Sequence, residues 1–518
     1  MNESALLVGL LAAVAVFATL AHRVGVPYPI LMVLGGGILG LIPGVPAIEL
    51  DPDLVFLLVL PPLLYVAAFF TSIRDFRANA LPITSLAVGL VLATMAAVAV
   101  VVHALVPEIG WPLAFALGAI VAPPDAIAAT SVLQRLGVPR RLVSILEGES
   151  LLNDATALVS FRIAVAAALG GAFSPLEAGL DFVVAAAGGI GIGLAVGVAS
   201  AWLRRRAPDT PISLTLALLT PYAAYLPAEA AHVSGVLAAV TAGLYVGRKA
   251  SRIMSSETRV AGSAVWQMVV FLLTGLVFVA LGSQLRAIVQ GTEREIGESL
   301  LVATAVVVTA IATRFAWMFV TSIAARALGI ASVQDIGPRG SFVLGWSGMR
   351  GAVSLAAALS LPLALPGPAG TRELLIFVTF AVILVTLVGQ GLTLPWVIGA
   401  LGVARDEGTA HDDAHARIAT TTAALARLEQ LYEEWPDHRE LLDNLRATYE
   451  HRTRHDDAHH SESGAAETEH IEHRKIRLEL IETERAAAHE MRDRGAIGDE
   501  VLRRLERDLD LEELRMEA

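Results

Sequence analysis

The segment EGESLLNDATALVSFRIAVAAALGG, from Glu147 to Gly171, places acidic residues and an Asn-Asp pair at the start of a long apolar run. After Asn153 and Asp154 the segment is mostly Ala, Val, Leu and Ile, and Arg162 is its one later charge. A charge at the centre of a bilayer costs at least about 2.5–3.5 kcal/mol, so it pairs, faces a water-filled cavity or is neutralised. The segment therefore predicts a membrane helix that carries a functional carboxylate.

The composition of the whole chain also indicates a membrane protein. Of its 518 residues, 55% are hydrophobic and 17% are charged, which is apolar for a soluble protein of this length. Residues 1–400 contain 21 Lys and Arg against 20 Asp and Glu, whereas residues 401–518 contain 17 against 30. The net charge of −12 thus lies in the C-terminal part, and we predict a transmembrane domain over 1–404 and a water-exposed cytoplasmic tail over 405–518.

The chain has no cysteine, which excludes disulfide scaffolds, thiol catalysis and cysteine metal sites. We expect no cofactor, no resident metal ion and no nucleic-acid partner. The first apolar stretch lacks an early Lys or Arg, so we interpret it as a retained membrane span and not as a secretory signal.

Thirteen stretches are apolar and long enough to cross a bilayer, which takes roughly 20 residues. They lie near 4–21, 27–43, 53–70, 80–105, 112–134, 142–169, 180–203, 211–228, 232–247, 262–285, 299–326, 340–362 and 373–400. Alternate loops between them hold 15 Lys and Arg, and the other six loops hold three. Because basic loops stay in the cytoplasm, this bias predicts an outside N-terminus and a cytoplasmic tail. We expect the location to be a bacterial cytoplasmic membrane.

Six ionisable residues remain at membrane depth once the loops are set aside. They are Asp125, Glu149, Asp154, Arg162, Arg314 and Arg350. Such residues usually mark a polar pathway through a helix bundle. Internal ion pairs that only fix helix packing are the alternative, above all for the arginines.

Two predicted spans carry signals for a helix break. In the fifth span, Pro123 and Pro124 precede Asp125, and proline removes a backbone donor and disfavours helix in the residue before it. In the twelfth span, SFVLGWSGMRGAVSLAAALSLP (341–362), glycines flank Arg350. Broken helices at matched places in two halves point to inverted repeats with an ion site at their interface.

The pair Asn153-Asp154 offers carboxylate and amide oxygens, which suit a hard cation. A carboxylate in a poorly solvated cavity is costly to keep charged, so it holds either a proton or a metal ion. Two mutually exclusive occupants of one group are sufficient to couple two opposite fluxes.

Three segments closely resemble the sodium/proton exchangers of the monovalent cation:proton antiporter superfamily, in the branch with an Asn-Asp pair. They are GESLLNDATALV (148–159), APPDAIAA (122–129) and GMRGAVSLAAALSLP (348–362), and the resemblance covers nearly all of residues 1–400. It implies an all-α polytopic fold with inverted repeats, in which a six-helix core moves against a dimerisation domain in an elevator-like alternating-access cycle. It also implies a homodimer that exchanges one cation for one proton in pH and sodium homeostasis.

The resemblance implies roles for residues at the matching positions. Asp154 would bind cation and proton in turn, Asn153 would support the site, and Ser150 would lend its hydroxyl to the cation. Asp125 would lie where the two unwound spans cross. Many family members have Thr where this chain has Pro124, so a hydroxyl ligand is missing and the preceding carbonyls would serve instead.

The resemblance further implies a structural ion pair between Glu149 and a membrane arginine, with Arg314 as first choice and Arg350 as second. Some members carry an acid in the third span where this chain has Val66. Na⁺ is the expected cation. Because this ligand is absent, Li⁺ and K⁺ remain alternatives. A K⁺/H⁺ antiporter is therefore the alternative within transporters.

Two other classes of protein were weighed. An intramembrane aspartyl protease would use Asp125 and Asp154, but it needs both carboxyls to share a proton, and the Gly-x-Gly-Asp signature is missing. A channel or membrane sensor would need a selectivity-filter motif or a signalling tail, and neither is present in the sequence.

The tail repeats Leu, Ile and Met at three-to-four spacing between charges, which predicts two or three cytoplasmic helices. The stretch HSESGAAETEH (460–470) interrupts this pattern and reads as a flexible linker. Ten of the 13 histidines lie in the tail, and a pH-sensing arm, a metal site at His451 and His455 or a merely solvated segment all fit them.

Overall fold

A computed structural model describes residues 3–42, 52–170, 174–207, 209–291, 294–327, 329, 336–403, 407–458, 464–494, 496 and 499–517. All regular secondary structure within these residues is helical. The chain divides into two compact units, Met1–Arg405 and Asp406–Ala518. The boundary predicted from the sequence, between 404 and 405, lies outside the described residues.

The first unit is a bundle of helices joined by short connections. Its α-helices are α1 (Glu3–Val24), α2 (Tyr28–Leu41), α3 (Pro52–Leu54), α4 (Leu60–Phe70), α5 (Ile73–Ala78), α6 (Ala80–Thr84), α7 (Val91–Leu105), α8 (Trp111–Val121), α9 (Ala126–Arg135), α10 (Arg140–Ala168), α11 (Pro175–Arg205), α12 (Thr210–Ala230), α13 (Gly235–Ile253), α14 (Ser256–Ser283), α15 (Leu285–Gly291), α16 (Ile296–Ala327), α17 (Gly337–Trp346), α18 (Ala352–Leu359), α19 (Thr371–Leu384) and α20 (Gly391–Leu401). Wider π-helical turns at Val55–Val59, Ser85–Leu90 and Val385–Gln390 join α3 to α4, α6 to α7 and α19 to α20.

Each of the thirteen stretches predicted to span the membrane contains helix in its described residues, and the stretches 112–134 and 340–362 are interrupted by non-helical segments. Seven helical segments of the described chain have both the length and the apolar composition to cross a bilayer: Ala80–Leu105, Trp111–Arg135, Arg140–Ala168, Leu176–Arg205, Ser256–Gly291, Ile296–Ala325 and Thr371–Leu401. Val8–Val24, Tyr28–Leu41 and Val55–Phe70 are shorter and also apolar. The all-α polytopic fold is confirmed, and the number of thirteen crossings stays a prediction.

The helices of the first unit pack in two groups. We call α1, α2, α4 and α11–α14 the scaffold group, and α6–α10 with α16–α20 the core group, because helices contact one another extensively within each group and narrowly between them. The core group contains predicted spans four to six and eleven to thirteen. The middle span of each triplet, the fifth and the twelfth, is the one with signals for a helix break.

Burial differs sharply between the two groups. In the apolar window of Trp111–Arg135, in the core group, 78% of residues are buried, against 17% for Leu176–Arg205 in the scaffold group. A helix that is apolar on all sides and enclosed by other helices lies inside a bundle. The apolar α11 packs on α12 and α13 along one side, and most of its other side chains are exposed to lipid or to another protein surface.

The second unit consists of α21 (Glu407–Glu434), α22 (Arg439–Ala458), α23 (Gly464–Asp493) and α24 (Asp499–Glu517), with a 3₁₀ turn at Pro436–His438. The sequence predicted two or three helices, and the described residues contain four. The predicted linker 460–470 was wrong from Gly464 onward, where α23 begins, and its residues 460–463 lie outside the described chain. Ala, Glu and Thr in this stretch are compatible with helix. The sequence predicted a linker because the stretch has no apolar residues at helical spacing.

The second unit is held together by small apolar seams. α21 packs on α22, and α23 packs on α24. The buried side chains include Leu428 and Leu442 in the first pair and Ile481 and Leu502 in the second. The spacing of apolar residues predicted helices in this part of the tail, and Leu428, Ile481 and Leu502 belong to that pattern.

The scaffold group contains a close backbone contact between α2 and α14. A Cβ atom built on Gly36 would lie 2.9 Å from the carbonyl carbon of Val279, and one on Gly282 would lie 2.7 Å from the nitrogen of Gly37. Small residues let membrane helices approach in this way, because helix association in lipid relies on packing.

We therefore expect Gly36→Leu to push α2 from α14 and to destabilise the membrane unit by about 1–3 kcal/mol or more, as overpacking does. The measurement is the thermal unfolding midpoint of the detergent-purified protein. Gly191→Leu on α11 is the matched control, since a Cβ there meets no atom within 4 Å. Equal midpoints for the two variants would contradict the close contact.

Candidate functional site

The site is built around two helices that stop and restart inside the core group. α8 ends at Val121 and α9 begins at Ala126, so residues 122–125, which include Pro123 and Pro124, are not helical. α17 ends at Trp346 and α18 begins at Ala352, and residues 348–351 are likewise not helical. The proline and glycine signals in the sequence therefore mark both breaks.

The two unwound segments touch at Asp125. Its backbone N–H donates to the carbonyl oxygen of Met349 at 2.6 Å. A Cβ atom on Gly351 would lie 2.6 Å from both Cβ and Cγ of Asp125, so only glycine fits the chain at this point. The structure therefore brings the expected crossing residue, Asp125, onto the second broken helix.

Side chains of opposite charge cover the free helix ends at the crossing. Asp125 caps α9, since its Oδ1 accepts from the N–H of Ile127 at 2.9 Å. Arg350, which is fully buried, donates from Nε to the carbonyl oxygen of Val121 at the end of α8, at 3.0 Å. The positive N-terminal end of one half-helix thus faces a carboxylate, and the negative C-terminal end of another faces a guanidinium.

Asn153 joins the long helix α10 to the first break. Its Nδ2 donates to the carbonyl oxygen of Pro124 at 2.9 Å, and the side chain is fully buried. Its Oδ1 has no hydrogen-bond partner among the residues described. Asn153 therefore holds the unwound segment in place and keeps one acceptor oxygen unused.

Glu149 and Arg314 form a two-pronged ion pair inside the core group. Arg314 Nη1 lies 2.6 Å from Glu149 Oε1 and Nη2 lies 2.8 Å from Oε2, and both side chains are 1% exposed. Arg314 Nε also donates to the carbonyl oxygen of Leu344 in α17 at 3.0 Å. The pair therefore ties α10 and α16 to the half-helix before the second break, whereas Arg350 bonds to backbone carbonyls.

Asp154 lines a small cavity between α8, α10 and α18, together with Pro123 and Ser354. The carboxylate is 7% exposed, and the described residues supply no hydrogen-bond donor to it. Ser150 lies one helical turn before Asp154 on the same helix, which puts both side chains on one face of α10. The cavity thus contains a carboxylate whose oxygens accept no hydrogen bond from the described residues.

Two residues noted in the sequence have other surroundings. Val66 is buried with Tyr65 and Trp266 in an apolar cluster of the scaffold group, and it is not among the described residues that line the Asp154 cavity. Arg162 pairs with Glu229 of α12 at 2.6 Å. Sequence reasoning missed Glu229, because an acid near the end of a span looks like an ordinary loop charge.

Comparison with known proteins places these features in a family context. Residues 9–399 match the family described as sodium/hydrogen exchanger, transmembrane. An uncharacterised Na⁺/H⁺ exchanger of Mycobacterium tuberculosis is 36% identical over 523 residues, which cover 98% of this chain and 95% of that protein.

A second relative and a solved structure extend this comparison. The sodium, potassium, lithium and rubidium/H⁺ antiporter of Bacillus pumilus is 34% identical over 71% of this chain and 57% of its own length. The sodium proton antiporter MjNhaP1 from Methanocaldococcus jannaschii, solved at pH 8, aligns with a TM-score of 0.63 at 20% identity. That alignment covers 77% of this chain and 99% of that chain, and it supports the fold.

The buried ion pair generates a stability prediction. Arg314→Ala leaves Glu149 charged and unpaired in the interior, which typically costs about 3–5 kcal/mol. We expect a large drop in the thermal unfolding midpoint of the purified protein. The control is Glu108→Gln, which removes the solvent-exposed pair with Arg294 and should change stability by less than about 1 kcal/mol. Similar losses in both variants would argue against a structural role of the buried pair.

Proposed function

Because this chain belongs to the sodium/hydrogen exchanger family, whose members are multi-pass membrane transporters and not enzymes, we propose that it exchanges Na⁺ for H⁺ with Asp154 as the shared binding group. Cation and proton occupy the carboxyl group in turn. In this proposal Ser150, the amide oxygen of Asn153 and the backbone carbonyls around Pro124 complete the cation site, and Asp125 fixes the crossing beside it.

The observation that carries this proposal is the unpartnered carboxylate of Asp154 in a cavity lined mostly by apolar side chains. Glu149, five residues earlier on the same helix, is also buried but is neutralised by Arg314. Asp154 has no such cation among the described residues, so keeping its charge there without a bound ion is expensive. Neutralisation by a proton or by a metal ion relieves this cost, and the two occupants exclude each other.

The arrangement of helices supports alternating access. Asp154, both broken helices and the Glu149–Arg314 pair all belong to the core group, whose helices pack more closely on one another than on the scaffold group. We propose that the core group moves against the scaffold group and opens the cavity to either side of the cytoplasmic membrane in turn. The uncovered apolar side chains of α11, such as Leu180 and Val184, suit a homodimer contact within the bilayer.

The choice of cation rests on the oxygen ligands and on the relatives. Carboxylate, hydroxyl and carbonyl oxygens suit small monovalent cations, and Na⁺ is the ion in the name of the mycobacterial relative. The printed name of the Bacillus pumilus relative includes potassium and lithium, which keeps K⁺/H⁺ exchange as the second candidate. A role in pH homeostasis follows from either exchange, and a role in sodium homeostasis follows from Na⁺/H⁺ exchange.

The central test is Asp154→Asn, which removes the charge and the titrating group with little change in shape. We expect Na⁺-dependent H⁺ movement in proteoliposomes to disappear, while expression, membrane insertion and the thermal unfolding midpoint stay near those of the wild type. A matched control is Asp181→Asn, an exposed acid on α11 outside the core group. Wild-type exchange by the Asp154→Asn protein would refute the assignment.

The stoichiometry gives a second test. An exchange of one cation for one proton moves no net charge, so its rate should not respond to an imposed membrane potential. The measurement uses proteoliposomes with a fixed pH gradient, with Na⁺, Li⁺ and K⁺ supplied one at a time and with voltage clamped or free. A rate that changes steeply with voltage would require another ratio, and activity with K⁺ alone would favour the second candidate.

A further inference from the structure

The Asp154 cavity has a second polar side chain, and it comes from the other broken helix. Its described lining residues are Ala119, Ile120, Pro123, Asp154, Ala157, Leu158, Phe161, Val353, Ser354 and Ala357. Apart from Asp154 and Ser354 these side chains are apolar. Ser354 lies in the first turn of α18, directly after the unwound segment that ends at Gly351.

The hydroxyl of Ser354 has no hydrogen-bond partner among the described residues, although the side chain is only 2% exposed. A buried hydroxyl left unpaired costs free energy, so such a group normally finds an acceptor. Some hydroxyls of the core group do so: Ser360 donates to the carbonyl oxygen of Ala357 at 2.8 Å, and Thr386 donates to that of Val382 at 2.7 Å. The hydroxyls of Thr94 and Ser299 in the core group also lack a described partner, but of these three only Ser354 is among the described residues that line the Asp154 cavity.

We propose that the Ser354 hydroxyl is a further ligand for the cation that Asp154 binds, and that it helps to set cation preference. A hydroxyl oxygen has two acceptor lone pairs and one donor hydrogen. Its oxygen coordinates the cation when the ion is present.

This ligand would tie the two broken helices together through the bound ion. Asp154 and Ser150 reach the cation from α10 and the carbonyl of Pro124 reaches it from the first break, while Ser354 reaches it from the second. Pro124 has no side-chain donor or acceptor, so it offers the cation only its backbone carbonyl oxygen. The hydroxyl of Ser354, from the facing helix, supplies an additional oxygen. A neutral oxygen at fixed distance discriminates between ions of different radius.

The inference rests on the proposed exchange at Asp154, and Ser354→Ala tests it separately. In proteoliposomes we expect KM for Na⁺ to rise about three- to tenfold, tenfold being about 1.4 kcal/mol of binding, with the maximal rate within about twofold of wild type. Because loss of this ligand weakens the binding of Li⁺ and Na⁺ to different degrees, the ratio of their KM values should also change. A defect of folding alone would lower the maximal rate for both ions equally.

Two control variants separate the possible outcomes. Ser360→Ala removes a hydroxyl from the end of the same helix and should leave both KM values unchanged. Asp154→Asn should abolish exchange whatever the result at Ser354. Unchanged KM values in Ser354→Ala beside an inactive Asp154→Asn would overturn this inference and leave the proposed function intact, whereas an active Asp154→Asn would overturn the proposed function itself.

A chemical readout covers the case in which Ser354→Ala folds poorly. The chain has no native cysteine, so Ser354→Cys carries a single thiol in the full-length protein. We expect Na⁺ to slow the reaction of this thiol with N-ethylmaleimide in proteoliposomes at concentrations near KM, and to leave the thiol of Ser360→Cys unaffected. Labelling of Ser354→Cys that does not depend on Na⁺ would contradict a position beside the ion.

Discussion

Breaking two helices inside a bilayer leaves backbone N–H and C=O groups without their intrahelical partners, in a region where water does not replace them. Each such group costs several kcal/mol when it is unpaired. At the crossing, specific side chains form hydrogen bonds with these backbone groups. Asn153 donates to the carbonyl of Pro124, Arg350 to that of Val121 and Arg314 to that of Leu344. The carboxylate of Asp125 accepts from the N–H of Ile127. Most of the polar residues that look misplaced in an apolar sequence are therefore required by the breaks.

Since these backbone groups at the breaks are hydrogen-bonded, the polar atoms nearby that have no described partner are the candidates for binding an ion. The polar atoms left without a described partner around the break include the Asp154 carboxylate, the Asn153 Oδ1 and the Ser354 hydroxyl. All three are oxygen acceptors, and two of them line one cavity. The hydrogen bonds at the crossing hold the two breaks in place, and oxygens held in fixed positions meet the condition for selecting one ion over another.

Much of this arrangement is legible in the sequence, because its signals are local. Pro123, Pro124 and the glycines around Arg350 mark the breaks, and the charge of Asp154 in an apolar run marks the acid. Contacts between distant segments are different: Glu149 and Arg314 are 165 residues apart, and family resemblance, not any periodicity, suggested their pairing. The partner of Arg162 and the orientation of Ser354 depend on which helix faces lie together, and apolar helices without a polar side give no pattern that fixes this.

The two ion pairs on α10 differ in burial in a way that fits the proposed movement of the core group. Glu149–Arg314 is buried and lies wholly within the core group, so it would travel with the Asp154 cavity and keep its shape. Arg162–Glu229 joins the core group to α12 of the scaffold group, and its side chains are 53% and 27% exposed. Because the other helices do not enclose this pair, its partners have room to shift in the proposed movement. The enclosed charge pair thus lies inside the body that would carry the ion, and the less enclosed pair crosses the surface along which that body would move.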